Sequence, residues 1–137
     1  RDLKEDDDDD DTEIDDEVLP TDATPAALLE RGNKLLNAAL ENEAQSTTEA
    51  FRAAMAEAAA LYEAAEARLV AADSPANHKL LVRILLNGAT ARYKLGEWRG
   101  GAEKAVGALD YADEAQQSKA LEIRDACLRE EKAEFES

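Results

Sequence analysis

The sequence predicts an all-α chain of antiparallel helical hairpins behind an acidic tail. Alanine, Leu and Glu dominate the 137 residues, and aromatics make up only 4%, a profile that favours helices over sheets. The three prolines, Pro20, Pro25 and Pro75, each fall where a helix should begin. Apolar residues recur at helical spacing from about residue 26 onward.

Residues 1–24 divide from the rest by composition. Residues 1–19 hold twelve acids against Arg1 and Lys4, a net of −10, which leaves −6 of the total −16 for the remaining chain. Asp6 to Asp11 is an unbroken run, and Glu13, Asp15, Asp16 and Glu17 follow. Like charges repel and little can be buried, so a disordered tail is expected over 1–24, with one helical domain over 25–137.

Thr24 then Pro25 reads as an N-cap and first helical residue. Ala27, Leu28, Leu29, Leu35, Leu36 and Leu40 give a first helix from about 25 to 43, interrupted by Gly32. A mid-helix glycine costs about 1 kcal/mol relative to Ala, and close approach of a neighbouring helix is a reason to keep one. Ser46-Thr47-Thr48-Glu49 is a cap cluster that opens a second helix reaching about residue 72. Its apolar stripe is Phe51, Met55, Ala58, Leu61, Tyr62, Ala65 and Leu69.

Asp73-Ser74-Pro75 ends that helix and starts a third, about 75–95, with Leu80, Leu81, Ile84, Leu85, Gly88, Ala89 and Tyr93. Leu95-Gly96-Glu97-Trp98 turns into a fourth helix carrying Ala102, Ala105, Val106 and Leu109 to about Ala112. A last helix, about 116–135, is expected to hold Ala120, Leu121, Ile123, Cys127 and Leu128 inside. Short connections make sequential helices antiparallel neighbours. Small residues stand at matched places, Gly32 in the first helix and Gly88 and Ala89 in the third, which suits the close packing of an α-solenoid.

At this point the chain resembles tetratricopeptide repeats. The match is most specific over 80–109, where Leu85, Leu86, Asn87, Ala89, Tyr93, Lys94, Leu95, Gly96, Glu97, Trp98 and Ala105 resemble the second repeat of co-chaperones of the immunophilin and organising-protein type. Leu28-Leu29-Glu30-Arg31-Gly32-Asn33-Lys34 looks like the start of their first repeat. The resemblance covers roughly residues 26–128 and implies a solenoid of about two and a half repeats. About 16 residues beyond the 34-residue family repeat extend the first hairpin. Lys119 to Ala126 resembles the start of a third repeat, one residue longer than the pattern.

The resemblance also implies chemistry. The co-chaperone groove grips the acidic C-terminal peptide of large heat-shock chaperones, because amides and cations donate charge-assisted hydrogen bonds to carboxylates. Asn33 matches the first-helix Asn of that clamp, Asn87 the third-helix Asn and Lys119 the fifth-helix Lys. The first-helix Lys position falls on Leu29 and the fifth-helix Arg position on Ile123, with Arg124 one place away. One place on a helix is a turn of about 100°. Arg83, Tyr93 and Lys94 are further candidates for the groove. The peptide-binding set is therefore Asn33, Asn87, Lys119, Arg83, Lys94 and Arg124.

Other features read as structural. Asp6 to Glu17 places acids at several EF-hand loop positions, but Asp11 stands where Gly is needed, so a solvated acid run is the reading. Thr12 with Asp15 is a short acidophilic-kinase match. Glu57, Glu63, Glu66 and Arg68 read as a solvated face, Cys127 as a small core residue and Trp98 as an anchor of the turn after Gly96. His78 is the only histidine and Cys127 the only cysteine, so no metal set or intrachain disulfide is expected. No enzyme activity and no cofactor are implied.

The expected function is protein–protein interaction, co-chaperone- or adaptor-like. The alternative is a structural or assembly subunit of a larger complex, or an acidic chaperone of histones and other basic proteins acting through the tail. An acidic chain without a basic cluster is a poor binder of nucleic acid. No apolar run reaches the roughly 18 residues of a membrane span, and a cytoplasmic or nuclear setting is the expectation.

Overall fold

The computed structural model describes residues 23–69 and 74–136. Five helices follow one another there: α1 (Pro25–Glu41), α2 (Thr48–Leu69), α3 (Pro75–Leu95), α4 (Trp98–Leu109) and α5 (Glu114–Glu136). No strand occurs among the described residues. The expected tail, with Asp6 to Glu17, Thr12 and Pro20, lies outside them, as does Asp73.

The helix starts follow local chemistry. Thr24 Oγ1 accepts from the Ala27 amide at 3.1 Å and Ser74 Oγ from the Asn77 amide at 3.2 Å, with Pro25 and Pro75 at the first helical turn. Thr47 caps α2 through the Ala50 amide at 3.0 Å. Asp113 and Gln116 cap α5 reciprocally: Asp113 Oδ1 accepts from the Gln116 amide at 2.8 Å, and Gln116 Oε1 from the Asp113 amide at 3.0 Å. That box starts α5 at Glu114, two residues before the expected start, and α4 stops at Leu109 rather than Ala112. The α3–α4 turn needs Gly96, whose φ of 81° is left-handed. Arg52 at the start of α2 donates to the last α3 carbonyl, Leu95 O, at 2.9 Å.

Each helix packs on the next, and α3 also touches α1 and α5. The odd-numbered helices therefore lie side by side in one layer, as in a helical repeat. Leu28, Leu29, Met55, Leu61, Tyr62 and Ile84 are the largest buried side chains. Tyr62 lies between two glycines: an added Cβ would stand 2.7 Å from its Cε1 at Gly32 and 3.5 Å from its Cβ at Gly88. Gly32 thus makes room for the ring, while a side chain at Gly88 would only touch the Tyr62 Cβ. Cys127 is fully buried, and its Sγ occupies the space a side chain on Gly101 would need. Trp98 packs on Tyr93, their ring centroids 5.5 Å apart.

Two apolar assignments on the last helix are corrected. Leu121 and Leu128, expected inside, are 37% and 44% exposed, as Val106 on α4 is at 47%. Small residues fill the α4–α5 seam instead: Gly101, Ala105, Ala108, Ala120 and Cys127 are the buried ones.

The ring of Tyr62 is buried and cannot swing away from Gly32. Gly32→Ala is expected to destabilise the fold by a net of about 1–2 kcal/mol. Overpacking costs about 1–3 kcal/mol, and the better helix former returns up to about 1. Urea denaturation checks this; an unchanged or raised midpoint would mean that the ring has room to move.

Candidate functional site

One face of α3 carries Arg83, Asn87, Thr90 and Lys94, at spacings of four, three and four residues. The opposite side, with Ile84, Leu85, Gly88 and Leu95, is buried. The polar stripe therefore faces the layer of odd-numbered helices.

Asn33 on α1 and Asn87 on α3 are brought into contact. Asn33 Oδ1 accepts from Asn87 Nδ2 at 2.7 Å and from the Tyr62 hydroxyl at 2.7 Å. Both lone pairs of that oxygen are then engaged, which turns the Asn33 amide NH₂ away from this contact. The two asparagines serve first as a bond between α1 and α3. Their remaining amide hydrogens are the donors left for another molecule.

Further along the stripe a cavity of about 280 Å³ opens between α3 and α5. Thr90, Tyr93 and Lys94 line it from α3, and Lys119, Glu122, Ile123 and Ala126 from α5. Lys119 is exposed and has no ion-pair partner among the described residues. The same holds for Arg83. Lys94 lies 3.5 Å from Glu43. The site thus has an apolar floor from Ile123, Ala126 and the Tyr93 ring, a cationic rim and one carboxylate, Glu122.

Arg124 is not on this wall. It donates through Nε and Nη2 to Asp125 Oδ1 at 3.0 and 2.8 Å, while Ile123 faces the cavity. Leu29, at the other position where the resemblance implies a cation, is 1% exposed and belongs to the core. The cations near the groove are therefore Arg83, Lys94 and Lys119.

A second polar cluster was not foreseen. Glu63 and Glu66, expected on a solvated face, bind cations from two other helices. Arg92 reaches Glu63 at 2.6 Å and Glu97 at 2.9 Å, and Lys104 reaches Glu63 at 2.9 Å and Glu66 at 2.6 Å. Arg68, from the same set, donates to Ala23 O at 2.6 Å. Only Glu57 stays exposed as expected. Burial would raise the Glu63 carboxyl, but hydrogen bonds and charge from Lys104 and Arg92 outweigh it and hold the group below the ordinary range. Burial would likewise lower Lys104, and Glu66 and Glu63 hold it above its ordinary value. The partners lie tens of residues apart in sequence, so no local spacing signals the cluster.

Groups able to do chemistry are few. Burial pushes the Cys127 thiol up, away from the reactive thiolate. His78 stacks on Tyr111 with ring centroids 4.4 Å apart. No group of three metal-ligating side chains occurs among the described residues. No helix among them is long and apolar enough to cross a membrane. No protein-family model, curated protein or solved structure matches the chain.

Burial pushes the Tyr62 phenol well above its ordinary value of about 10. The unfolded chain therefore ionises first. The stability held by neutral Tyr62 is full below about pH 10 and is lost as pH rises through the raised value. Tyr62→Phe is expected to cost about 1 kcal/mol at neutral pH through the lost hydrogen bond. The gap between wild type and variant should narrow above about pH 10. Urea midpoints at pH 7 and 10.5 measure this, and a gap independent of pH would refute it.

Proposed function

We propose that the chain is a protein–protein interaction module of tetratricopeptide-like architecture, co-chaperone- or adaptor-like, that holds an extended peptide along the layer of α1, α3 and α5. The observation that carries this reading is the α3–α5 cavity. Its apolar floor suits side chains of an extended segment, and Lys119 at its rim is a cation without an ion-pair partner among the described residues. Arg83 and Lys94 extend the positive rim along α3. Asn33 and Asn87 keep amide hydrogens for the peptide's carbonyls or carboxylates. A peptide with carboxylates is the partner that such donors favour. In this reading the protein binds rather than catalyses.

The test is calorimetric titration of the full chain with an acidic C-terminal peptide of the heat-shock-chaperone type, beside its amidated twin. Micromolar binding weakened by amidation is expected. Lys119→Ala should weaken it about tenfold to a hundredfold, the worth of one charge-assisted contact. Binding unchanged by both changes would sink the groove reading.

A second reading, a structural or assembly subunit, is favoured by α5. Leu121, Leu128 and Phe135 recur every seven residues there and are 37%, 44% and 90% exposed. The exposed large apolar residues among the described ones lie on α4, α5 and the turn between them, and none on α2. If α5 is an assembly face, sedimentation should show association that Leu128→Lys abolishes while peptide binding persists. A monomer at all concentrations would leave self-assembly through α5 without support.

A further inference from the structure

We propose that the groove is regulated by the chain's own acidic stretch, Asp6 to Glu17, which occupies it in competition with outside peptides. The inference rests on the reading of the α3–α5 groove as a peptide site.

Charge complementarity on one chain is the first support. Residues 1–19 carry a net of −10. The exposed face of α3 carries Lys79, Arg83 and Lys94 at helical spacing, and Lys119 stands across the cavity from α5. Glu43 beside Lys94 and Glu122 on the α5 wall offset only part of that charge. Lys79, Arg83 and Lys119 have no ion-pair partner among the described residues.

Reach is the second. Lys79 to Lys94 spans about 22 Å of helix at 1.5 Å per residue. Six extended residues, the length of the Asp6–Asp11 run, span roughly 20 Å. Residues 18–22, which precede the fixed Ala23 and Thr24, can extend roughly 17 Å. Stepping from α1 to the α3 stripe takes about 10 Å at the usual interaxial distances. Direction agrees as well. Arg68 near the end of α2 bonds Ala23 O, so the chain enters α1 beside the α2–α3 connection, at the Lys79 end of the stripe.

Tethering is the third. A segment tethered to its site on the same chain is presented at an effective concentration in the millimolar range. Contacts too weak to bind a free peptide are then populated. An outside peptide must displace the tail, so its apparent affinity falls, and the effect weakens as salt screens the charges.

The test uses the full chain and a variant in which each aspartate from Asp6 to Asp11 becomes Asn (D6N to D11N). Both are titrated with the same acidic chaperone-type peptide at about 20 mM and 300 mM salt. The variant is expected to bind about fivefold or more tightly at low salt, with the difference lost at high salt. Carbodiimide, which joins carboxylates directly to amines, should link tail acids to Lys79, Lys94 and Lys119 in the monomeric wild type. Equal affinity of the two chains overturns the inference and leaves the groove reading intact. Cross-links shared evenly with Lys34 and Lys132 overturn it too. Binding by neither chain overturns the groove reading and this inference with it.

Discussion

The placement of Tyr62 constrains the rest of the molecule. Its ring fills the space beside Gly32 of α1 and its Cβ packs against Gly88 of α3, so one side chain of α2 touches both neighbouring helices. A methyl group at Gly32 has no space, whereas one at Gly88 would stand at ordinary contact distance from Tyr62. The hydroxyl then completes the job that the ring begins. It donates to Asn33 Oδ1, which also accepts from Asn87, so the α1–α3 contact is both packed and hydrogen-bonded. The orientation of the two amides, and with it the direction of their spare hydrogens, follows from that arrangement.

Charge is distributed unevenly about this frame. On one side Glu63 and Glu66 draw Arg92 and Lys104 into a network that joins α2, α3 and α4. The members are partly exposed, so each pair contributes well under about 1 kcal/mol, and the value of the cluster lies in fixing helix register. On the other side Arg83 and Lys119 have no acid assigned to them among the described residues. A chain with twice as many acids as bases therefore has, among its described residues, unpaired cations along one seam. That is uneconomical for a purely structural surface and sensible for one that meets an acidic partner.

Much of the helix layout was legible because its signals are local. Thr24-Pro25 and Ser74-Pro75 mark two starts, and Gly96 marks a turn that needs a left-handed residue. The start of α5 was misplaced because its signal is a reciprocal Asp113–Gln116 cap rather than an apolar stripe. Helix α5 is charged on most of its surface, and only Ala120 and Cys127 are buried, so periodicity could not say which way Leu121 and Leu128 point. Of the candidate site, the α3 stripe was readable from spacing alone, and Lys119 entered from a family pattern. The Glu63–Arg92–Lys104 cluster was not readable, because its members meet only through tertiary packing.

On the proposed reading, the positions where cations are missing indicate what kind of peptide the groove suits. A clamp that holds a single chain terminus concentrates its donors at one point. Here Leu29 is in the core and Ile123 lines the cavity as an apolar residue, so that point lacks two of its charges. The cations that remain are spread along α3, with Lys119 across from them. Such a line engages carboxylates distributed along an extended segment in addition to the one at its end. It also gives little sequence discrimination, because lysines on long stems act as mobile point charges. Selectivity must then come from the apolar floor of Ile123, Ala126 and Tyr93, which rewards a bulky side chain at one place. On the proposed reading, the preferred partner is an acidic segment with an apolar residue set into it. A purely acidic run would compete through charge alone and would yield to that partner as salt rises.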